Sequence, residues 1–329
     1  MSFRSRWIRI LFQALGVALF ILILSRVDLR EIGRSYRTIS PAPAAAGIAL
    51  LFVLTFLKAL RWRTIVSGQG VEVGVWRAFR IYAASLFLGV VTPGHLGDFA
   101  KSLYLSNRGL SAGRALMSSV ADRLFDLILL FVIAFASLVF FPGLVRNQIL
   151  LGAIFLAAAA AAVAAFFFRR DILARLVKRF VSAMPGERFR GSLDRAVTEG
   201  LDGFPSMIGG RLGRIVALTL AAWTAHYAYF VIFAAALGVG APVSVIVVCV
   251  SAAIVASLVP VSISGLGTRD LVIILIFARA GLGREAAVAF SFSFILSYLV
   301  LGVTGLLCWI TAPFDGERVP PAAGAVIES

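Results

Sequence analysis

Leu88-Gly89-Val90-Val91-Thr92-Pro93-Gly94-His95-Leu96-Gly97-Asp98-Phe99-Ala100-Lys101 lies within a hydrophobic stretch, and so does Val259-Pro260-Val261-Ser262-Ile263-Ser264-Gly265-Leu266-Gly267-Thr268-Arg269-Asp270. Both break the pattern of a membrane span in the same way, with Pro, Gly and a pair of opposite charges inside an apolar run. Backbone opened at membrane depth has no water for its N–H and C=O groups, so it survives only inside protein or beside a wet cavity. Ionisable side chains there are costly and point by default to a polar site within the bilayer.

The 329 residues are 60% hydrophobic and 14% charged, with a mean hydropathy of +0.98. A soluble domain is about 45–50% apolar and about 25% charged, so this composition describes an integral membrane protein. The formal net charge is +15. Basic residues sit mostly in loops beside apolar spans, as the positive-inside rule and anionic head groups require, and no nucleic-acid recognition motif accompanies them. Cys249 and Cys308 lie far apart in apolar runs and read as small buried hydrophobes.

Apolar windows of span length fall near 7–24, 43–60, 121–141, 149–168, 213–237 and 287–312. The first resembles a signal peptide but is long for one and lacks a good cleavage site, so a retained span is expected. Region 81–105 is too short to cross twice and predicts a re-entrant pair. Region 243–280 holds either two short crossings or a second such pair. The expected fold is therefore an all-α integral membrane protein, a polytopic helical bundle with two broken, re-entrant helix pairs. Residues 1–312 form a single transmembrane domain, and the Pro/Ala-rich stretch 313–329 is a disordered tail.

The long hydrophilic stretch 169–212 begins with apolar residues at 172, 173, 176, 177, 180 and 181. That spacing gives a greasy face opposite a basic one, suited either to an anionic leaflet or to a linker covering the bundle. Most of the Lys and Arg fall on one side if the N-terminus and loops 58–80, 101–123 and 169–214 are cytoplasmic. The two broken segments then enter from opposite sides. Gly97 aligns with Gly267, and Gly109-Leu110-Ser111 with Gly281-Leu282-Gly283. Weak similarity with opposite topology marks an inverted repeat, whose substrate sites lie at broken helices.

Thr92, Pro93 and Gly94 can end one half-helix, and Gly97 with Asp98 can start another, Asp98 serving as cap. Freed N–H groups would face an anion such as phosphate, with His95 nearby and Lys101 adding a point charge. Asp122 and Asp126 share a helical face at the opening of the next span, so a cation is expected between them, Lys101 or an arginine. Ser264, Gly265, Gly267, Arg269 and Asp270 repeat the theme, Arg269 being able to grip a phosphate with two parallel bonds. Asp98, Lys101, Asp122, Arg123, Asp126, Arg269 and Asp270 are expected to converge in one polar cavity. Lys58, Arg61 and Arg63 around Trp62 read as snorkelling anchors at a span end. His226 reads as a core residue. No metal or other cofactor is expected, since the two histidines lack ligand-spaced partners.

Taken together, Leu60-Arg61-Trp62-Arg63, Thr92-Pro93-Gly94-His95-Leu96-Gly97-Asp98, Ala121-Asp122-Arg123-Leu124-Phe125-Asp126 and Ser264-Gly265-Leu266-Gly267-Thr268-Arg269-Asp270 resemble the flippase-like, or lysylphosphatidylglycerol synthase transmembrane, family over about residues 7–312. The family's late motif usually has Gly, an apolar residue and Glu where this chain has Ser264, Thr268 and Asp270. The resemblance implies the translocating half of such proteins, without the synthase domain: a cell-membrane protein moving a polar-headed phospholipid or polyprenyl-linked lipid between leaflets. Thr92, Gly94, His95, Gly97, Asp98, Lys101, Asp122, Arg123, Asp126, Ser264, Gly265, Gly267, Arg269 and Asp270 are the expected substrate contacts, with Lys101 and Arg269 holding the head group. The membrane lipid is the expected partner, with anionic lipid at the basic loop. Two other classes stand beside this: an ion-coupled transporter of a small anion, and a membrane-embedded polyprenyl-phosphate transferase.

Overall fold

The computed structural model describes residues 39, 41–106, 109–140, 187–258 and 268–311. The expected spans near 7–24 and 149–168, the greasy-faced stretch 169–181, the turn holding Ser264, Gly265 and Gly267, and the tail lie outside them. The described residues form nine α-helices: α1 (Pro41–Ser67), α2 (Val75–Val91), α3 (Lys101–Ser106), α4 (Ala112–Phe140), α5 (Glu187–Ile208), α6 (Leu212–Ala236), α7 (Val243–Ser257), α8 (Thr268–Arg279) and α9 (Arg284–Thr311). A 3₁₀ segment, Pro93–Ala100, joins α2 to α3. Among the described residues, α1, α6 and α9 are long and apolar enough to cross a membrane, and α7 is a shorter apolar helix.

α1 and α6 form an antiparallel pair. The Phe233 ring lies against Gly47, Lys58 over the Trp223 ring, Arg61 beside Thr219, and Ile65 in one cluster with Ile215. Gly47 is needed here, because a Cβ would collide with Phe233. Small residues let helices approach closely where lipid supplies no hydrophobic drive between them. α9 packs along α2 by the same device, Gly305 resting on the Ala83 carbonyl and the Trp309 ring lying tilted 5.5 Å from that of Phe87.

α2 and α3 begin and end on one side. Tyr104 and Leu105 of α3 pack with Val73, Ala78 and Tyr82 at the start of α2, so the chain enters and returns without crossing. This is the expected first re-entrant pair. The second is read from helix length. α6 carries the chain to the opposite side, α7 and α8 pack together, and α9 carries it back. At 15 and 12 residues, α7 and α8 are each shorter than the about 20 residues of a full crossing, which fits a re-entrant pair better than two crossings.

The returning helices end alike. After α3, Gly109 has φ +84°, and its N–H bonds the Ser106 carbonyl while that of Leu110 bonds Leu105. After α8, Gly281 has φ +74°, with Gly281 bonded to Ala278 and Leu282 to Phe277. This left-handed glycine turn closes the orphan carbonyls of a helix end. Its recurrence at the aligned Gly-Leu pairs gives the sequence match a structural counterpart.

α4 starts nine residues earlier than the apolar window suggests, because its first turns run beneath α5. α5 buries Leu201, Phe204 and Met207 against Ile65, Ala121 and Ile215, and turns Arg195, Glu199 and Asp202 outward. This half of the hydrophilic stretch is a cover over the bundle's end. Backbone contacts fix it there, Gly113 against Ala196 and Gly68 against Ser206 and Met207.

Two outcomes follow from this packing. Gly97→Ala should destabilise the detergent-solubilised protein by about 1–3 kcal/mol or more, because a Cβ there meets the Leu88 backbone. Gly191→Ala, with open space around it in α5, should leave the thermal midpoint unchanged or slightly raised. In a background without Cys249 and Cys308, cysteines at Gly70 and Gly240 should react with an impermeant maleimide from opposite faces of sealed vesicles. Labelling of both from one face would refute the two-sided arrangement.

Candidate functional site

The break after α2 is organised by Thr92. Its hydroxyl donates to the Leu88 carbonyl at 2.8 Å and accepts the Gly97 N–H at 2.7 Å, so one side chain serves both ends of the turn. His95 takes a left-handed φ of +56°, a conformation few non-glycine residues adopt. Pro93–Ala100 winds as 3₁₀ for eight residues, longer than such segments usually run. The reversal is so tight that Gly97 touches the Leu88 carbonyl and the Asp98 carboxylate lies on Gly89. Asp98 is thereby carried inward, 2% exposed, and does not cap the new helix; it pairs with Arg123 of α4.

One turn deeper in the protein lies a network of charges. Arg61 of α1, fully buried, donates through Nε to Asp122 at 2.8 Å and through Nη1 to Asp126 at 2.8 Å. Asp122 also accepts from Lys101 at 2.5 Å and from the Tyr82 hydroxyl at 3.1 Å. Asp126 accepts from the Trp223 indole at 3.0 Å and from Lys58 at 3.0 Å. Lys101 lies 4.3 Å over the Tyr82 ring. Four cations, Lys58, Arg61, Lys101 and Arg123, thus face three carboxylates, Asp98, Asp122 and Asp126, leaving one positive charge in excess.

A second cluster belongs to α8 and α9. Arg269 is fully buried, holds Asp270 at 2.8 Å, and lies 4.9 Å over Phe294 and 5.8 Å over Tyr298. Asp270 accepts from Ser291 as well. The Nη1 group of Arg269 has no hydrogen-bond partner. Tyr298, halfway along α9, also meets the His95 ring at 6.5 Å. The tip of the first re-entrant pair and the start of α8 therefore touch the same aromatic ring, and Arg269 lies no farther from His95 than those two short contacts together allow.

Of the expected contacts, the structure brings Thr92, His95, Gly97, Asp98, Lys101, Asp122, Arg123 and Asp126 into one region and sets Arg269 with Asp270 in a neighbouring cluster. Of the seven ionisable residues, Asp98 pairs with Arg123, Lys101 with Asp122, Asp126 with Arg61 and Lys58, and Arg269 with Asp270. The cation between Asp122 and Asp126 is Arg61. The anchor reading of Lys58 and Arg61 is overturned: both turn inward, because two carboxylates on the facing helix offer more than a water interface does. Only Arg63 behaves as a surface group, bonding the Val73 carbonyl and Glu72. Lys101, 1% exposed and committed to Asp122, is neither a snorkelling group nor free to hold an anion. Arg269 bridges its chain neighbour Asp270. Tyr82, Thr219, Trp223 and Gly89 complete the region without having been signalled. Arg61→Ala should destabilise the fold by about 3–5 kcal/mol, leaving two buried carboxylates without their shared cation. A thermal midpoint close to that of the wild type would show that the pair contributes little.

With this geometry in view, similarity to known proteins becomes informative. The family described as the lysylphosphatidylglycerol synthase TM region matches residues 7–307. Among curated proteins, a UPF0104 membrane protein of Methanothermobacter thermautotrophicus is 25% identical over 327 residues, covering 93% of each chain. No solved structure matches the chain. The apolar helices, the two re-entrant pairs and a match running through nearly every motif quoted above lead to one assignment: the chain is a multi-pass membrane protein of the lysylphosphatidylglycerol synthase transmembrane family.

Proposed function

We propose that the protein moves a lipid with an anionic, polar head group between the two leaflets of its membrane. The observation that carries this reading is the set of buried charges, one positive in excess, drawn together from α1, α3, α4 and the tip of the first re-entrant pair. A charged head group crossing a bilayer must exchange water for protein groups along the way, and ionisable residues at membrane depth are kept where they serve such a path. The excess cation and the open N–H of Arg269 offer this to a phosphate, while the lipid's tails remain in the bilayer. Membership of a family named for a lipid-modifying synthase's membrane region agrees with a lipid substrate.

The transferase alternative would need a metal between Asp122 and Asp126. All four oxygens of those carboxylates already accept hydrogen bonds from Arg61, Lys58, Lys101, Tyr82 and Trp223, so cationic side chains supply the positive charge there, which favours the lipid reading over the transferase. A cytoplasmic N-terminus in the cell membrane remains the orientation favoured by the distribution of Lys and Arg.

The test is head-group accessibility of a labelled phospholipid or polyprenyl phosphate in liposomes holding the purified protein. Wild type should exceed protein-free liposomes, and Arg269→Ala should slow the exchange about tenfold, the effect of losing a charge-assisted contact. Arg269→Lys should recover only part, since an ammonium lacks the planar fork. Rates no faster than protein-free liposomes across lipid classes would remove the flippase reading, and efflux of trapped phosphate or sulfate in its place would favour a small-anion transporter.

A further inference from the structure

Among the four cations of the network, accessibility and pairing are unevenly distributed. Arg61 and Lys101 are 0% and 1% exposed and both are committed to Asp122. The Lys58 side chain is 14% exposed and held by Asp126. The Arg123 side chain is 28% exposed, the most open of the set.

Its pairing is also incomplete. Arg123 reaches Asp98 through Nη2 and one oxygen, while its Nε and the Oδ1 of Asp98, both buried, have no hydrogen-bond partner. A guanidinium and a carboxylate that meet fully do so through two parallel bonds. Here each uses half of its fork. The turn sets this geometry: the Asp98 carboxylate rests on Gly89 with Oδ1 nearest to it.

We propose that Arg123 is the residue that takes the substrate's phosphate, and that Asp98 is an intramolecular stand-in released when it does so. This rests on the lipid-translocation reading for the source of the phosphate, but not for the exchange itself. A phosphate can use both Nε and an Nη group of Arg123, gaining the parallel bond that Asp98 cannot give. When Arg123 is withdrawn, Asp98 still lies in the field of the buried Lys101, which remains bound to Asp122. The charge excess of the network is thus expressed at one residue, and the re-entrant tip carrying Asp98 and His95 loses its tie to α4 when substrate binds.

Opposite signs for the two partners test this. The full-length protein in phosphatidylcholine nanodiscs is titrated with a short-chain fluorescent phosphatidylglycerol, with inorganic phosphate, and with the matching diacylglycerol, which lacks a phosphate. Asp98→Asn keeps the shape against Gly89 and removes the competitor, so phosphatidylglycerol should bind about tenfold tighter, a gain of about 1.4 kcal/mol. Arg123→Gln should weaken binding about tenfold or more, and diacylglycerol should respond to neither change. Should Asp98→Asn fail to fold, Arg123→Lys decides: it can keep a one-pronged pair, so it should melt like the wild type yet bind about tenfold weaker.

A parallel response with inorganic phosphate identifies the bare anion as sufficient, and a response confined to the lipid identifies its head group; either supports the exchange. Weakening by both Asp98→Asn and Arg123→Gln, unchanged binding by Arg123→Lys, or the same pattern with diacylglycerol overturns it. Binding that follows these signs in a protein that translocates nothing removes the transport reading alone.

Discussion

A single guanidinium between two carboxylates governs the arrangement of the bundle. Burying one charge in an apolar interior is costly, and Asp122 and Asp126, four residues apart on α4, would add mutual repulsion. Arg61 answers both at once, and its position fixes α1 against α4 at that level. The remaining lone pairs of the two carboxylates then select α2 through Tyr82, α3 through Lys101 and α6 through Trp223. Five helices are drawn to one locus by the requirement that no oxygen of these two carboxylates be left without a donor. Such pairs are weak evidence for stability in themselves, but once formed, no partner can be withdrawn without exposing the others to the interior.

Charge can impose this order only because the backbones come close enough. Gly47 beneath Phe233, Gly305 on Ala83, Gly113 on Ala196 and Gly97 on Leu88 each occupy a place where a methyl group would not fit. They lie on different helix pairs, and each brings its own pair into register. Helix association in lipid draws on packing rather than on escape from water, so these contacts do for the membrane region what leucines do in a soluble core.

Much of this was legible from residue patterns. Pro and Gly inside an apolar run announce a break because they remove donors and open dihedrals, and the break at Thr92–Asp98 is where the chain turns. Two aspartates at helical spacing demand a cation, and one is there. What escaped notice was which one. Lys58 and Arg61 sit near the end of a span, where basic residues commonly reach for head groups, and only the placement of α4 beside α1 shows that they face inward. Their three-residue spacing, on one face of α1, was a usable signal once set against the four-residue spacing of Asp122 and Asp126. Tyr82, Thr219 and Trp223 carried none, since a neutral polar side chain on an apolar helix looks the same whether it ends in a hydrogen bond or in lipid. Gly89 resembled any small residue of a transmembrane helix until Asp98 was seen resting upon it.

Tyr298 gives α9 a standing that its plain apolar sequence conceals. The helix is keyed to α2 through Gly305 and to α8 through Phe290, whose ring stacks 5.3 Å from Phe277. Between those two fastenings it presents one ring to His95 on one flank and to Arg269 on the other. The tip of the first re-entrant pair and the start of α8 therefore meet α9 at the same level, on the same ring. The two halves of the molecule, joined by no short stretch of chain, share one bearing surface, and it is a single phenol.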